Sequence, residues 1–179
     1  SQFVHLNVMH IFFNGYGLYA LGPIVERFYG TRRFVLVYLL SGTLGAIASY
    51  FLVELPSGGA SGAIYGLVGV IIALGWRYQR YLPEKVVNSF TKGLIPWVVI
   101  GIGVGFLESI PMDNAAHIGG LCAGLGGAFA FDAVFHRGPE HELRNTVVRW
   151  AFIGAIGVVA AAGGLWFGEI MDCTSSREA

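Results

Sequence analysis

Long apolar stretches dominate this sequence and leave few folds open to it. Most are at least 18 residues long, and a helix of that length, rising 1.5 Å per residue, crosses a hydrocarbon core of about 30 Å. There are six, the fourth long enough only with its flanks: Leu6–Phe28, Phe34–Leu55, Ser61–Tyr78, Leu94–Leu107, Ala115–Phe135 and Val147–Phe167. Because they are continuous rather than alternating, they predict helices and not barrel strands. We expect an all-α, polytopic transmembrane helical bundle with six spans.

Composition supports a membrane protein and indicates how its helices pack. Of the 179 residues, 55% are hydrophobic and 12% are charged, whereas about a quarter of the residues are charged in soluble domains. The chain also has 27 glycines. Pairs four residues apart, such as Gly62 with Gly66 and Gly120 with Gly124, let membrane helices approach closely. The third and fifth stretches are therefore predicted to pack tightly against neighbours.

Basic residues follow every second apolar stretch. Ten of the eleven Lys and Arg residues lie in the loops after the first, third and fifth stretches: Arg27, Arg32, Arg33, Arg77, Arg80, Lys85, Lys92, Arg137, Arg144 and Arg149. Positively charged loops stay in the cytoplasm. The links around Pro56–Ala60 and Ile110–Asn114, with both chain ends, are therefore predicted to lie outside.

Four polar side chains are expected at one depth near that outer side. Ser61 opens the third stretch, His117 lies about one turn into the fifth, and His10 and Asn14 share a face of the first. Serine attacks a carbonyl when a neutral imidazole takes its proton. Ser61 and His117 fit the roles of nucleophile and base.

The tetrahedral intermediate of such a reaction needs hydrogen-bond donors. The Ser61 amide, the Asn14 side chain and the His10 imidazole are candidates. The acidic residues of the outer link, Glu108 and Asp113, are not placed to orient a base, so a dyad is favoured over a triad.

Structural alternatives remain open for these residues. Ser61 fits the N-cap of its helix. His117, or His10 with Asn14, could hydrogen-bond between helices without any chemistry. Glu26, at the inner end of the first stretch, is interpreted as structural.

Three sequence blocks resemble a known family. "HLNVMHIFFN", "GGASGAIYG" and "AAHIGGLCAG" are similar to the H-x₄-H-x₃-N, G-x-S-G-x₃-G and A-H-x₂-G-x₃-G signatures of the rhomboid intramembrane serine proteases of bacterial type. "GPIVERFYG" resembles the family's G-x₃-E-x₃-G segment. The blocks occur in family order, and the resemblance covers roughly residues Val4–Phe135.

The resemblance implies an intramembrane serine endopeptidase that cleaves transmembrane segments near the extracytoplasmic face. In it, Ser61 would be the nucleophile, His117 the general base and acid, and Asn14, His10 and the Ser61 amide the oxyanion hole. Tyr65 would pack against His117, and the motif glycines would shape the site: Gly59, Gly62 and Gly120. The fourth stretch, Leu94–Leu107, would match the mobile gate by order.

The resemblance also implies a division of the chain. Residues 1–135 would be the protease core without its first helix, which in rhomboids precedes the first block. Residues 136–149 would be a charged cytoplasmic linker, 150–168 an additional transmembrane helix and 169–179 an extracytoplasmic tail. The expected partners are the lipid bilayer and transmembrane protein substrates, with no cofactor, metal or nucleic acid. The expected location is the bacterial inner membrane, with the active site toward the extracytoplasmic side.

Two other functions fit the sequence less well than proteolysis. A catalytically silent relative would bind transmembrane segments without cutting them, but both dyad residues are present. A channel or transporter would use His10, Asn14 and His117 as a polar path, yet the sequence shows no continuation of that path and no inverted repeat.

Overall fold

The computed structural model describes residues 8–53, 58–107 and 112–135 with 146–147, 150–151 and 154, and within them the regular secondary structure is helical. The helices are α1 (Val8–Tyr29), α2 (Thr31–Leu52), α3 (Ser61–Arg77), α4 (Glu84–Asn88), a π-helical turn (Ser89–Gly93), α5 (Ile95–Val104) and α6 (Asn114–Ala130). The all-α prediction is confirmed for these residues.

Five of the six predicted stretches coincide with helices. Among the described residues, three helical segments are able to cross a membrane by length and composition: Val8–Tyr29, Thr31–Leu52 and Glu84–Val104. Ser61–Arg77 is a shorter apolar helix. Most of the sixth stretch, most of the linker 136–149 and all of the tail 169–179 lie outside the described residues.

The fourth helical segment begins earlier than the sequence predicted. It starts at Glu84, directly after Pro83, rather than at Leu94. Lys85 and Lys92, whose charge predicts a loop, are exposed on its surface. A helix surface carries such residues readily because a long side chain keeps its charged group in water while its stem lies along the helix.

Helices α3 and α6 pack backbone against backbone. A Cβ atom on Gly120 would overlap the carbonyl of Gly62, and one on Gly124 would overlap the carbonyl of Gly66. Gly126, also on α6, has no atom within 4 Å of its Cβ position. The predicted close approach at the glycine pairs is therefore confirmed, and it depends on particular glycines rather than on glycine content.

Helix α2 completes the tight part of the bundle. A Cβ on Gly45 would meet the carbonyl of Ala116 on α6, and one on Gly66 would overlap the Ser41 side chain. Large buried side chains fill the space beside these contacts: Val25, Leu36, Leu67, Val70, Ile71, Leu74 and Tyr78. By contrast, no residue of α5 is buried.

Two arginines hold the C-terminal end of α6. Arg77, the last residue of α3, donates to the carbonyls of Ala128 and Phe131 at 2.7 and 2.9 Å. It also pairs with the Asp132 carboxylate at 2.7 Å, and Arg33 donates to the Asp132 carbonyl at 2.6 Å. Carbonyls that end a helix without a partner are thereby satisfied.

Candidate active site

Ser61 is the first residue of α3, and its side chain does not cap that helix. The N-cap position is Ala60, with no side-chain hydrogen bond to the helix. The N-cap alternative for Ser61 is therefore wrong, because the backbone turns into the helix one residue earlier. The Ser61 hydroxyl Oγ instead lies 2.9 Å from Nε2 of His117.

His117 lies one turn into α6 and is buried, with 3% of its surface exposed. Its ring stacks on Tyr65, with 4.3 Å between centroids and 11° between planes. This is the packing that the resemblance implied. Within the described residues, the other ring nitrogen, Nδ1, has no hydrogen-bond partner.

Asp113 caps the helix that carries His117. Its Oδ1 accepts a hydrogen bond from the amide of Ala116 at 2.8 Å. Glu108, the other acidic residue that the sequence offered, lies outside the described residues. In the described part of the chain, the pair of Ser61 and His117 thus carries no hydrogen-bonded third member on the imidazole.

The glycine contact between α3 and α6 brings the pair together. Gly62 follows Ser61 directly, and its Cβ position is 3.1 Å from the carbonyl of Ala116, the residue before His117. Gly120, one turn after His117, touches the same glycine. Any side chain at either glycine would push apart the two helices that hold the serine and the histidine.

His10 and Asn14 reach the same region from α1. Asn14 is buried, with 6% of its surface exposed, and its Nδ2 donates to the His10 carbonyl at 2.9 Å. Gly59 has a φ of +113°, and a Cβ there would overlap the His10 imidazole and lie 3.4 Å from Asn14 Nδ2. The loop that leads to Ser61 therefore passes against both side chains.

Sequence analysis missed the contacts that α5 makes with this site. Tyr65 extends its hydroxyl to Gly101, and Asn114 donates through Nδ2 to the carbonyl of Ile102 at 3.1 Å. The spaced glycines of "GIGVG" at residues 101–105 were the available signal, because small residues permit close approach. Nothing in the spacing shows which glycine is in contact.

The described residues offer a hydroxyl, an imidazole and amide donors, and no group of three or more His, Cys, Asp or Glu side chains placed to hold a metal ion. The chemistry that such a set supports is proton transfer coupled to nucleophilic attack.

A family model confirms the resemblance that the sequence blocks indicated. The Rhomboid domain model matches residues 1–133. The chain belongs to the rhomboid family. As a rhomboid with apolar helices long enough to span a bilayer, it is an integral membrane protein.

Individual rhomboids are similar over most of this chain. Rhomboid protease GluP of Bacillus subtilis is 37% identical over 131 residues, which is 73% of this chain and 24% of the relative. RHOMBOID-like protein 4 of Arabidopsis thaliana is 38% identical, over 69% of this chain and 31% of the relative. Rhomboid protease GlpG of Haemophilus influenzae is 30% identical, over 68% and 62%. The match spans less than two thirds of each of these relatives.

Proposed function

We propose that this rhomboid is an intramembrane serine endopeptidase working through a dyad of Ser61 and His117. The observation that carries the proposal is the 2.9 Å distance between Ser61 Oγ and His117 Nε2. These atoms come from separate helices, α3 and α6, and His117 is buried between them and Tyr65. Such a pair is the arrangement that nucleophilic catalysis requires.

In the first step, the Ser61 hydroxyl donates its proton to Nε2 of His117 while Oγ attacks the carbonyl carbon of the scissile peptide bond. Nε2 accepts only if the ring proton is on Nδ1. Stacking on Tyr65 supports this step because it holds the imidazole plane while the proton moves.

The attack places negative charge on the carbonyl oxygen. The proposed donors to this oxyanion are the Ser61 amide, the Asn14 side chain and the His10 imidazole. The Nδ2 group of Asn14 has two protons, and one of them is used in the bond to the His10 carbonyl. The second remains for an oxyanion beside the Gly59 loop.

Collapse of the intermediate breaks the C–N bond, and His117 returns the proton to the leaving amine. Water then attacks the acyl-Ser61 ester, with His117 again taking a proton and delivering it to Oγ. The products are the two halves of the chain that was cut, and the dyad is restored.

The proposed substrates are transmembrane segments of other membrane proteins, cut near the extracytoplasmic face of a bacterial inner membrane. Two of the relatives above are named rhomboid proteases. The bias of basic residues toward the loops on the far side of Ser61 supports this orientation.

The test is cleavage of a transmembrane substrate by the full-length protein in liposomes, with labelling by a fluorophosphonate as a second measurement. We expect Ser61→Ala to abolish labelling, and Ser61→Ala and His117→Ala each to lower kcat by about 10⁴-fold or more. Ser89→Ala, at an exposed serine of the π-helical turn, is the matched control and should retain both signals. Undiminished cleavage by either dyad variant would refute the proposal.

A further inference from the structure

Tyr65 lies between the histidine of the site and helix α5. One face of its ring stacks on His117 at 4.3 Å. Its hydroxyl occupies the space that a Cβ atom on Gly101 would take. The absence of a side chain at Gly101 is therefore what allows α5 and Tyr65 to be in their present positions together.

Among the described residues, Tyr65 alone lies within 4 Å of the Cβ position of Gly101. No residue of α5 is buried, and Trp97, Val99 and Ile100 on the same helix are exposed. Gly103, two residues further along, has no atom within 4 Å of its Cβ position. Close packing of α5 as a whole does not explain the glycine at 101, whereas its contact with the Tyr65 hydroxyl does.

We propose that Gly101 is a positioning residue, whose bare backbone lets α5 act as a stop that keeps Tyr65 flat against His117. This inference rests on the proposed function. The imidazole must point Nε2 at Ser61, and a misplacement of about 1 Å at a reacting group can cost about 100-fold in rate. A side chain at Gly101 displaces either Tyr65 or α5, and the stack on His117 loosens in both cases.

The experiment is a double-mutant cycle in liposomes with the full-length protein and a transmembrane substrate. Gly101→Ala should lower kcat by about 10-fold with KM changed less than about 2-fold, because the histidine and not the substrate is disturbed. Gly103→Ala is the matched control, with the same change in helix propensity, and should leave kcat unchanged.

The decisive comparison removes the Tyr65 hydroxyl, which the methyl group of Gly101→Ala would overlap. In a Tyr65→Phe background, Gly101→Ala should change kcat by less than about 2-fold, whatever Tyr65→Phe costs by itself. An equal loss in both backgrounds, or an equal loss from Gly103→Ala, would overturn the inference. If Gly101→Ala fails to fold, the double variant must restore folding for the contact to stand.

Failure of the inference is distinguishable from failure of the proposed function. Cleavage by the unmodified protein with no effect of Gly101→Ala would overturn the role of Gly101 alone. A protein that neither cleaves nor reacts with a fluorophosphonate would overturn the proposed function and this role with it.

Discussion

Polar groups join helices α3 and α6 at both ends of the pair. The hydrogen bonds are of similar length at the two ends, but the groups are neutral at one end and charged at the other. At the site end, Ser61 and His117 meet through one neutral hydrogen bond of 2.9 Å, with Nδ1 of the imidazole left without a hydrogen bond in the described chain. At the arginine end, Arg77 donates to the Asp132 carboxylate at 2.7 Å and to the carbonyls of Ala128 and Phe131 at the end of α6. Charged, multiply bonded groups hold helices together. A neutral pair with spare bonding capacity is suited to moving a proton.

Substitution of the glycines between the two ends should have the largest effect on stability. Gly120→Ala places a methyl group on the carbonyl of Gly62, where backbone cannot give way, and should lower the free energy of unfolding by about 3 kcal/mol or more. Helices α3 and α6 would then separate at both ends, so fluorophosphonate labelling should decrease as the folded fraction decreases. Unfolding in detergent measures the first effect.

Gly126→Ala is the control for that substitution, since the same helix has open space there. Equal stability of the two variants would show that the backbone contact does not hold the ends together.

Asn14→Ala should separate chemistry from folding at the site end. Loss of one oxyanion donor costs about 10²- to 10³-fold in kcat, and the Asn14 hydrogen bond to the His10 carbonyl is worth only about 1 kcal/mol of stability. Because the oxyanion forms only in the transition state, KM should change little. Steady-state kinetics in liposomes provides the measurement, with Asn88→Ala as the control. A rise in KM with kcat preserved would point to substrate positioning instead.

The sequence predicted the site end better than the arginine end. The sequence predicts Ser61 and His117 as partners because their expected depth, expected side and residue types coincide, and the glycine spacing indicates where their helices touch. The bond between Arg77 and Asp132 was not foreseen, because it depends on α3 and α6 ending at the same level. Its charge predicts that Arg77 lies in a loop. No local sequence pattern shows that two helices distant in sequence end at the same level.

Backbone conformation accounts for the other differences. Ser61 has the residue type of an N-cap, yet the chain turns at Ala60, with Gly59 at a positive φ. The sequence pattern does not indicate the early start of the fourth helical segment, at Glu84, because its lysines are typical of a loop between spans. Residue type indicates a preference, whereas the packing of the whole bundle decides which residue occupies each position.

Asp132→Ala tests the arginine end. It removes the ion pair but leaves the carbonyl acceptors of Arg77, so the free energy of unfolding should fall by about 2 kcal/mol. The kcat of the folded protein should be unchanged, because Asp132 lies at the opposite end of α6 from His117. Unfolding and kinetics on the same preparation test both statements, with Glu84→Ala at an exposed helix start as the control. A lower kcat in fully folded Asp132→Ala protein would show that the two ends are coupled.

Asp113 offers the smallest expected effect and decides whether the site end contains a dyad. As the N-cap of α6, bonded to the Ala116 amide at 2.8 Å, it should contribute about 1 kcal/mol of stability that Asp113→Ala removes. Asp113→Asn keeps a capping oxygen and should restore that stability with kcat close to the original. A carboxylate that oriented His117 would behave differently, since its replacement by an amide costs about 10⁴-fold in kcat in a triad. Unfolding and kcat of the two variants therefore separate a helix cap from a third catalytic member.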